Sequence, residues 1–133
     1  MPPKFVLDTH AVLWHMTGDR KLDRNAKAAL MDPSSDLIFP AIAVAEALFV
    51  IQAGKSSALV KDLWDFTFAT ANVTFYPLDE AVLRKSEGLT AIPEMHDRLI
   101  VATALILQDA DTETIILTHD PIIQASELVK RLW

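Results

Sequence analysis

The chain has 133 residues and no cysteine, which removes disulfides, thiolate metal sites and thiol redox chemistry together. Its three glycines, Gly18, Gly54 and Gly88, cannot form the G-x-G-x-x-G turn of a dinucleotide-binding domain. Positive charge is in deficit, with 12 Lys and Arg against 18 Asp and Glu for a net charge of −6. That balance argues against a broad basic face of the kind that wraps duplex DNA. A long hydrophobic run is also missing. The stretch Leu37 to Ile51 contains Pro40 and Glu46 and is shorter than the ~20 residues a membrane span needs. No basic segment followed by an apolar one opens the chain, so no secretory leader is expected, and a cytoplasmic protein without membrane association is the simplest reading. What remains is ordinary for a folded domain, 51% hydrophobic and 23% charged residues, and the length suits a single domain over residues 1–133 with one core.

Short apolar runs alternate with helical segments along the chain. Phe5 to Leu7, "LIFP", "VTFYPL", "TIILTHD" and "VKRLW" read as strands, the last at an edge. Between them, helices are expected from Thr9 to Met16, over "DRNAKAALMD" with Leu30 and Met31 toward the core, and from Ala41 to Ala53 with Gly54 at the C-terminal cap position. Further helices are expected over "SSALVKDLWDFTFATA", carrying Leu59, Leu63, Trp64, Phe66 and Phe68, over "DEAVLRKSEGL" capped by Asp79, and over "RLIVATALILQD", which is apolar nearly all round and therefore buried. Strands alternating with helices predict an α/β fold of three layers, a mostly parallel central sheet of four to five strands flanked by helices.

Four acids stand out against this pattern. Asp8 and Asp120 each follow a short apolar strand, at the sheet edge where α/β proteins bind ligands. Asp8 is equally well placed to cap the helix that follows. Glu46 is the only charged residue between Leu37 and Ile51, and Asp97 opens the most apolar helix of the chain. A buried, unpaired carboxylate at either position costs several kcal/mol in order of magnitude, so each calls for a partner or a cation. If the four converge, their mutual repulsion is relieved by Mg²⁺ or Mn²⁺, hard cations that prefer oxygen ligands. Divalent metal held in that way suits phosphodiester hydrolysis.

The segments "FVLDTHAVLW", "AVAEAL", "IPEMHDRLIVATAL" and "ILTHDPII", in this order over nearly the full length, resemble the PIN-domain ribonucleases, especially the VapC-type toxins of toxin–antitoxin pairs. On that resemblance the family's acids fall on Asp8, Glu46, Asp97 and Asp120, which would hold metal and carry catalysis. Thr118 matches a hydroxyl residue two positions before the last acid and is expected to join the acids in catalysis, and Thr9 matches the residue after the first. The resemblance implies a Mg²⁺- or Mn²⁺-dependent endoribonuclease whose RNA products carry 5′-phosphate and 3′-hydroxyl ends. It also implies a homodimer inhibited by a cognate antitoxin protein. Pro40 stands where many relatives have serine or threonine, "IPEMHDR" is short for its loop, and "QDADTET" is polar and somewhat long. None of these departures touches the four acids.

Other polar and aromatic residues have simpler readings. A site of hard oxygen ligands does not need His10, His15, His96 or His119. Arg98 would contact phosphate or pair with a carboxylate, Trp14, Trp64 and Trp133 fit core or dimer packing better than base stacking, and Arg20, Lys21, Arg24 and Lys27 fit a solvated face better than guidance of RNA. Apolar surface left over on the helices between Ala41 and Ala71 makes them the expected dimer interface. Two alternative functions were weighed. An aspartyl-phosphate phosphatase wants a second aspartate two residues after the first, where this chain has His10. A PIN-like binding module without catalysis would be free to lose its acids, and here all four are filled.

Overall fold

The computed structural model describes residues 2–121, 123 and 128–133. Among them are five strands, β1 Lys4–Leu7, β2 Asp36–Pro40, β3 Val73–Tyr76, β4 Thr114–Leu117 and β5 Lys130–Leu132. Six helices accompany them: α1 Thr9–Thr17, α2 Arg24–Met31, α3 Ala41–Gln52, α4 Val60–Ala69, α5 Glu80–Glu87 and α6 Met95–Leu107. The strands form one sheet in the order β3-β2-β1-β4-β5, every neighbouring pair parallel. The helices flank it, which is the expected α/β arrangement. Among the described residues no helix is long and apolar enough to cross a membrane. Ile122, in the last of the family-like segments, lies outside the described residues.

The order follows from burial. The central strands carry side chains that are apolar on both faces, Val6 and Leu7 in β1, Leu37 to Phe39 in β2, Ile116 and Leu117 in β4, all buried, as strands covered on both sides require. Helix α6 packs on β1, β4, α3 and α5, and the unbroken buried run from Leu99 to Ala104 shows why its sequence is apolar all round. Two of its carbonyls satisfy buried threonines: Thr103 of α6 donates to the Leu99 carbonyl at 2.8 Å, and Thr114 of β4 donates to the Ala104 carbonyl at 3.0 Å. The chain runs outward from β1 through β2 to β3, then returns to the other side of β1 as β4. The reversal between β1 and β4 makes the carboxyl ends of those two strands the expected ligand crevice.

Caps and turns agree with the sequence. Asp79 accepts from the Val82 N–H at 3.0 Å and caps α5. Gly54, just past the C-terminus of α3, has φ 75°, the left-handed region that glycine enters without strain.

Three packing expectations need correction. Met31 is 62% exposed because α2 turns only Ala26 and Leu30, one helical turn apart, toward the core. On α4 the inward stripe is Leu63 and Thr67, with Phe66 partly buried. Leu59 and Phe68 are mainly exposed, and Trp64 lies just at the surface. Finally, α3 is less buried than its composition suggests: Phe49 is 67% exposed, and only Ala43, Val44 and Ala47 are buried.

Candidate metal centre

The register of the sheet builds the site. Leu7 pairs with Leu117, and the Asp8 N–H donates to the Leu117 carbonyl at 3.1 Å, so the residues after β1 and β4 leave the sheet side by side. Thr118, fully buried, donates its hydroxyl to Asp8 Oδ2 at 2.5 Å. The same Thr118 oxygen accepts the Asp120 N–H at 3.0 Å, a local turn that fixes the backbone of the second acid relative to the first. Asp8 Oδ1 accepts the Thr9 N–H at 2.7 Å. The capping and crevice readings of Asp8 therefore both hold, because each carboxylate oxygen has a second lone pair available. Thr9 is itself buried and donates to the Ala43 carbonyl at 3.2 Å, pinning the start of α1 to the start of α3.

Asp97 enters from α6. It sits in the first turn, where a helix N-terminus favours negative charge. Its side chain is nonetheless out of solvent, with the residue 7% exposed. Asp97 Oδ2 is buried with no hydrogen-bond partner among the described residues. Burial foremost, then the charge of Asp120 and a hydrogen bond shared with it, then Asp8 and Glu94, push its pKa up to about 7. Asp8 is also raised, since burial outweighs the stabilising Thr118 hydroxyl, Thr9 N–H and His10.

Glu46 completes the set from α3. Its side chain is 25% exposed, with His96 Nδ1 at 3.8 Å from Oε2. The expectation of a buried glutamate is thus softened, because α3 leaves it at the rim of a cleft. That cleft, about 480 Å³, is lined by Asp8, Glu46, Asp97 and Asp120 and also by Glu94, His10, Trp14, His119 and Pro121. All four predicted acids come together in one concavity, with Thr118 behind them. A larger surface cleft of about 810 Å³ runs beside β5 and residues 108–113. It holds an exposed Lys130–Glu113 ion pair at 2.6 Å and lies apart from the four acids.

Sequence reasoning missed Glu94. It lies three residues before Asp97, lines the same cleft, raises the Asp97 pKa and has Oε1 3.3 Å from His96 Nδ1. Its place in a polar loop hid it; the spacing to Asp97 was the available signal. Arg98 Nε donates to the Ile92 carbonyl and ties the loop before α6 to that helix. His15 instead packs its ring against Phe66, with centroids 5.9 Å apart, and burial lowers its pKa.

Donor chemistry decides what the cleft can hold. It presents carboxylate oxygens and no thiolate, the set preferred by Mg²⁺ and Mn²⁺, and the orphaned Asp97 Oδ2 lacks the one thing a cation supplies. Among the described residues no three His, Asp or Glu side chains already stand in an arrangement that could hold an ion. Closing the set needs side-chain rotation, to which Glu46 and Glu94, partly exposed, are better suited than the tethered Asp8.

Comparison with known proteins agrees with this layout. A PIN domain family model matches residues 5–125, which includes all four acids. Among solved structures, VapBC-1 from nontypeable Haemophilus influenzae aligns with TM-score 0.63 at 16% identity, covering 96% of both chains. The PIN domain of T. brucei RRP44 aligns with TM-score 0.57 at 11% identity, covering 98% of this chain and 76% of the other. Comparison with curated proteins gives no match. The strand order, the acids at the β1–β4 crevice and the family match over most of the sequence agree: this chain belongs to the PIN domain family.

Proposed function

We propose that the protein is a Mg²⁺- or Mn²⁺-dependent endoribonuclease with Asp8, Glu46, Asp97 and Asp120 as the metal-binding and catalytic acids and Thr118 as the residue that positions Asp8. The observation that carries this reading is that Asp97, whose buried Oδ2 has no hydrogen-bond partner among the described residues, lines a cleft shared with the other three acids. A divalent cation there would supply charge for the scissile phosphate and acidify water. The chain's own residues supply the frame. Thr118 fixes the Asp8 carboxylate through Oδ2 and the Asp120 backbone through its N–H, and Asp97 Oδ2 remains able to take a ligand or a proton. Glu94 and Glu46 both approach His96 Nδ1 at the rim, where they can orient water or adjust the charge of the cleft.

The protein is further proposed to act as the toxin of a toxin–antitoxin pair, with RNA as substrate and an antitoxin that offers a basic residue to the acids. The likeness of its fold to the VapBC-1 structure supports that assignment. A homodimer is proposed through α3 and α4. There Phe49, Leu59 and Phe68 are mainly exposed, and Phe68 stacks between Trp64 at 5.9 Å and Phe75 at 5.3 Å between ring centroids. An exposed apolar patch of this kind marks an association surface.

Asp8→Asn and Asp97→Asn should each lower metal-dependent RNA cleavage by orders of magnitude while leaving the far-UV circular dichroism unchanged. Retained cleavage in both variants rejects the site, and a folded wild type that never cleaves RNA with metal supports a binding module instead.

The crowded acids also carry a thermodynamic sign. The folded-state pKa of Asp97, about 7 against an ordinary 3.8, means the folded protein holds a proton that the unfolded chain releases. Stability in EDTA should therefore fall as pH rises from about 4 to about 7, by at most about 1.4 kcal/mol per pH unit from this group. Asp97→Asn should melt at or above the wild type in EDTA at pH 8 and lose that advantage at pH 5. Added Mg²⁺ should stabilise the wild type by about 2.7 kcal/mol at a hundred times Kd, and the variant much less. A variant strongly destabilised in EDTA and equally responsive to metal makes the acids structural.

For the assembly, sedimentation should give a dimer for the wild type and a monomer for Phe49→Ser/Phe68→Ser. A monomeric wild type at micromolar concentration contradicts the proposed interface.

A further inference from the structure

Three rings that line the cleft beside the acids, His10, Trp14 and His119, belong to a cluster of four with Trp133. Trp14 is partly buried against the core, and around it lie His10 at 5.5 Å, Trp133 at 5.6 Å and His119 at 5.9 Å between ring centroids. His119 and Trp133 also meet at 5.5 Å. His10 and His119 are exposed, and with Trp14 they line the acidic cleft. An aromatic cluster that only filled the core would not leave its two most polar rings in solvent.

A second cleft of about 430 Å³ continues from the first, sharing His10 and Trp14 with it, and is lined by Lys21 and Lys55. Lys21 Nζ lies 5.7 Å from the Trp14 ring centroid, and neither lysine is in an ion pair among the described residues. Asp19 is in this second cleft, but its Oδ1 accepts the Lys21 N–H at 2.9 Å. One helix organises the whole series. Asp8 caps α1, His10 is in its first turn, and Trp14 follows one turn further on, about 9 Å from the cap along the axis. Passing outward from the acids, a ligand meets ring faces and then ammonium groups.

We propose that His10, Trp14 and His119, with Lys21 and Lys55 beyond them, form a nucleotide subsite. In it an unpaired base stacks on the rings and the adjoining phosphate meets the lysines. The proposal rests on the nuclease reading for the polymer bound, and what it adds is which residues of this chain take a base and the phosphate beside it. Stacking accepts any base because every base has a π-face. It excludes duplex, whose bases are already stacked and paired. The arrangement also answers a problem of charge. A cleft of acids repels an RNA strand, and cations placed beyond the rings supply attraction where the metal does not reach. Sequence reading preferred packing over base stacking for Trp14 and a solvated face over guidance of RNA for Lys21; in the structure Lys21 Nζ lies over the Trp14 ring in the lining of the second cleft.

The test uses full-length Asp97→Asn protein, so that RNA is bound without being cut, and end-labelled strands of equal length followed by fluorescence anisotropy. The strands are a single-stranded RNA, an abasic ribose-phosphate strand and duplex RNA. The single strand should bind about tenfold or more tighter than the other two. Adding His10→Ala/His119→Ala should remove that preference, and Trp14→Leu should do the same while Trp14→Tyr retains it. Lys21→Gln/Lys55→Gln should weaken all three strands and flatten the dependence on salt. Should Trp14→Leu fail to fold, the exposed histidine pair decides. In the Mg²⁺-loaded protein with Asp97 intact, the histidine changes should act on KM more than on kcat. Equal binding of RNA and abasic strand, or a preference that survives the histidine changes, overturns the subsite even if RNA is cleaved. Base-dependent binding with no cleavage by the wild type leaves the subsite standing and removes the nuclease reading instead.

Discussion

The hydrogen bond from Thr118 to Asp8, between residues 110 apart in sequence, is the contact on which the rest of the site depends. It joins the carboxyl ends of β1 and β4 at the reversal of strand order, and it does so from a fully buried hydroxyl. A charge-assisted bond of this length fixes the direction of the carboxylate as well as its position. Because the same oxygen accepts the Asp120 N–H, one threonine side chain sets two acids. The parallel register of Leu7 with Leu117 is what makes that geometry possible, and the apolar strands are what hold the register.

The cleft sets stability against function. Burying Asp97 with an unpartnered oxygen beside Asp120, Asp8 and Glu94 is unfavourable in the metal-free fold, and the apolar packing of α6 against β1 and β4 must offset it. Such local conflict between good packing and crowded like charge is expected where a site is built for a ligand. Elsewhere the same chain satisfies its polar groups: Asp79 caps α5, Asp23 accepts from the Asn25 N–H at 2.9 Å, and Thr67 donates to the Leu63 carbonyl at 2.7 Å.

Most of this was legible in the sequence because two periodicities differ so clearly. Doubly apolar runs such as "FVL" and "TIIL" permit only covered strands, and acids directly after them fall at the crevice by topology alone. Asp8 and Asp120 were found in that way, Glu46 and Asp97 as charges on otherwise apolar helices, and resemblance to a known family added Thr118. What escaped was whatever depends on which way a helix turns. Composition cannot rank the apolar positions of α4, so Leu63 could not be told from Phe68 as the buried one, and Met31 was assigned to the wrong side of α2. Glu94 escaped because a loop acid has no periodic partner to betray it. The rings around Trp14 escaped because His119 and Trp133 reach it only through the fold.

The central claim is that Asp8, Asp97 and Asp120 form one electrostatic unit completed by a divalent cation. The most direct measurement follows the carboxyl carbon shifts of these aspartates by NMR while pH is varied, with chelator and then with saturating Mg²⁺. The expected result is that Asp97 titrates near 7 in chelator and that Mg²⁺ moves its midpoint well below that value, with the raised Asp8 moving down as well. An Asp97 that titrates as an ordinary aspartate in chelator and is indifferent to Mg²⁺ would contradict the account.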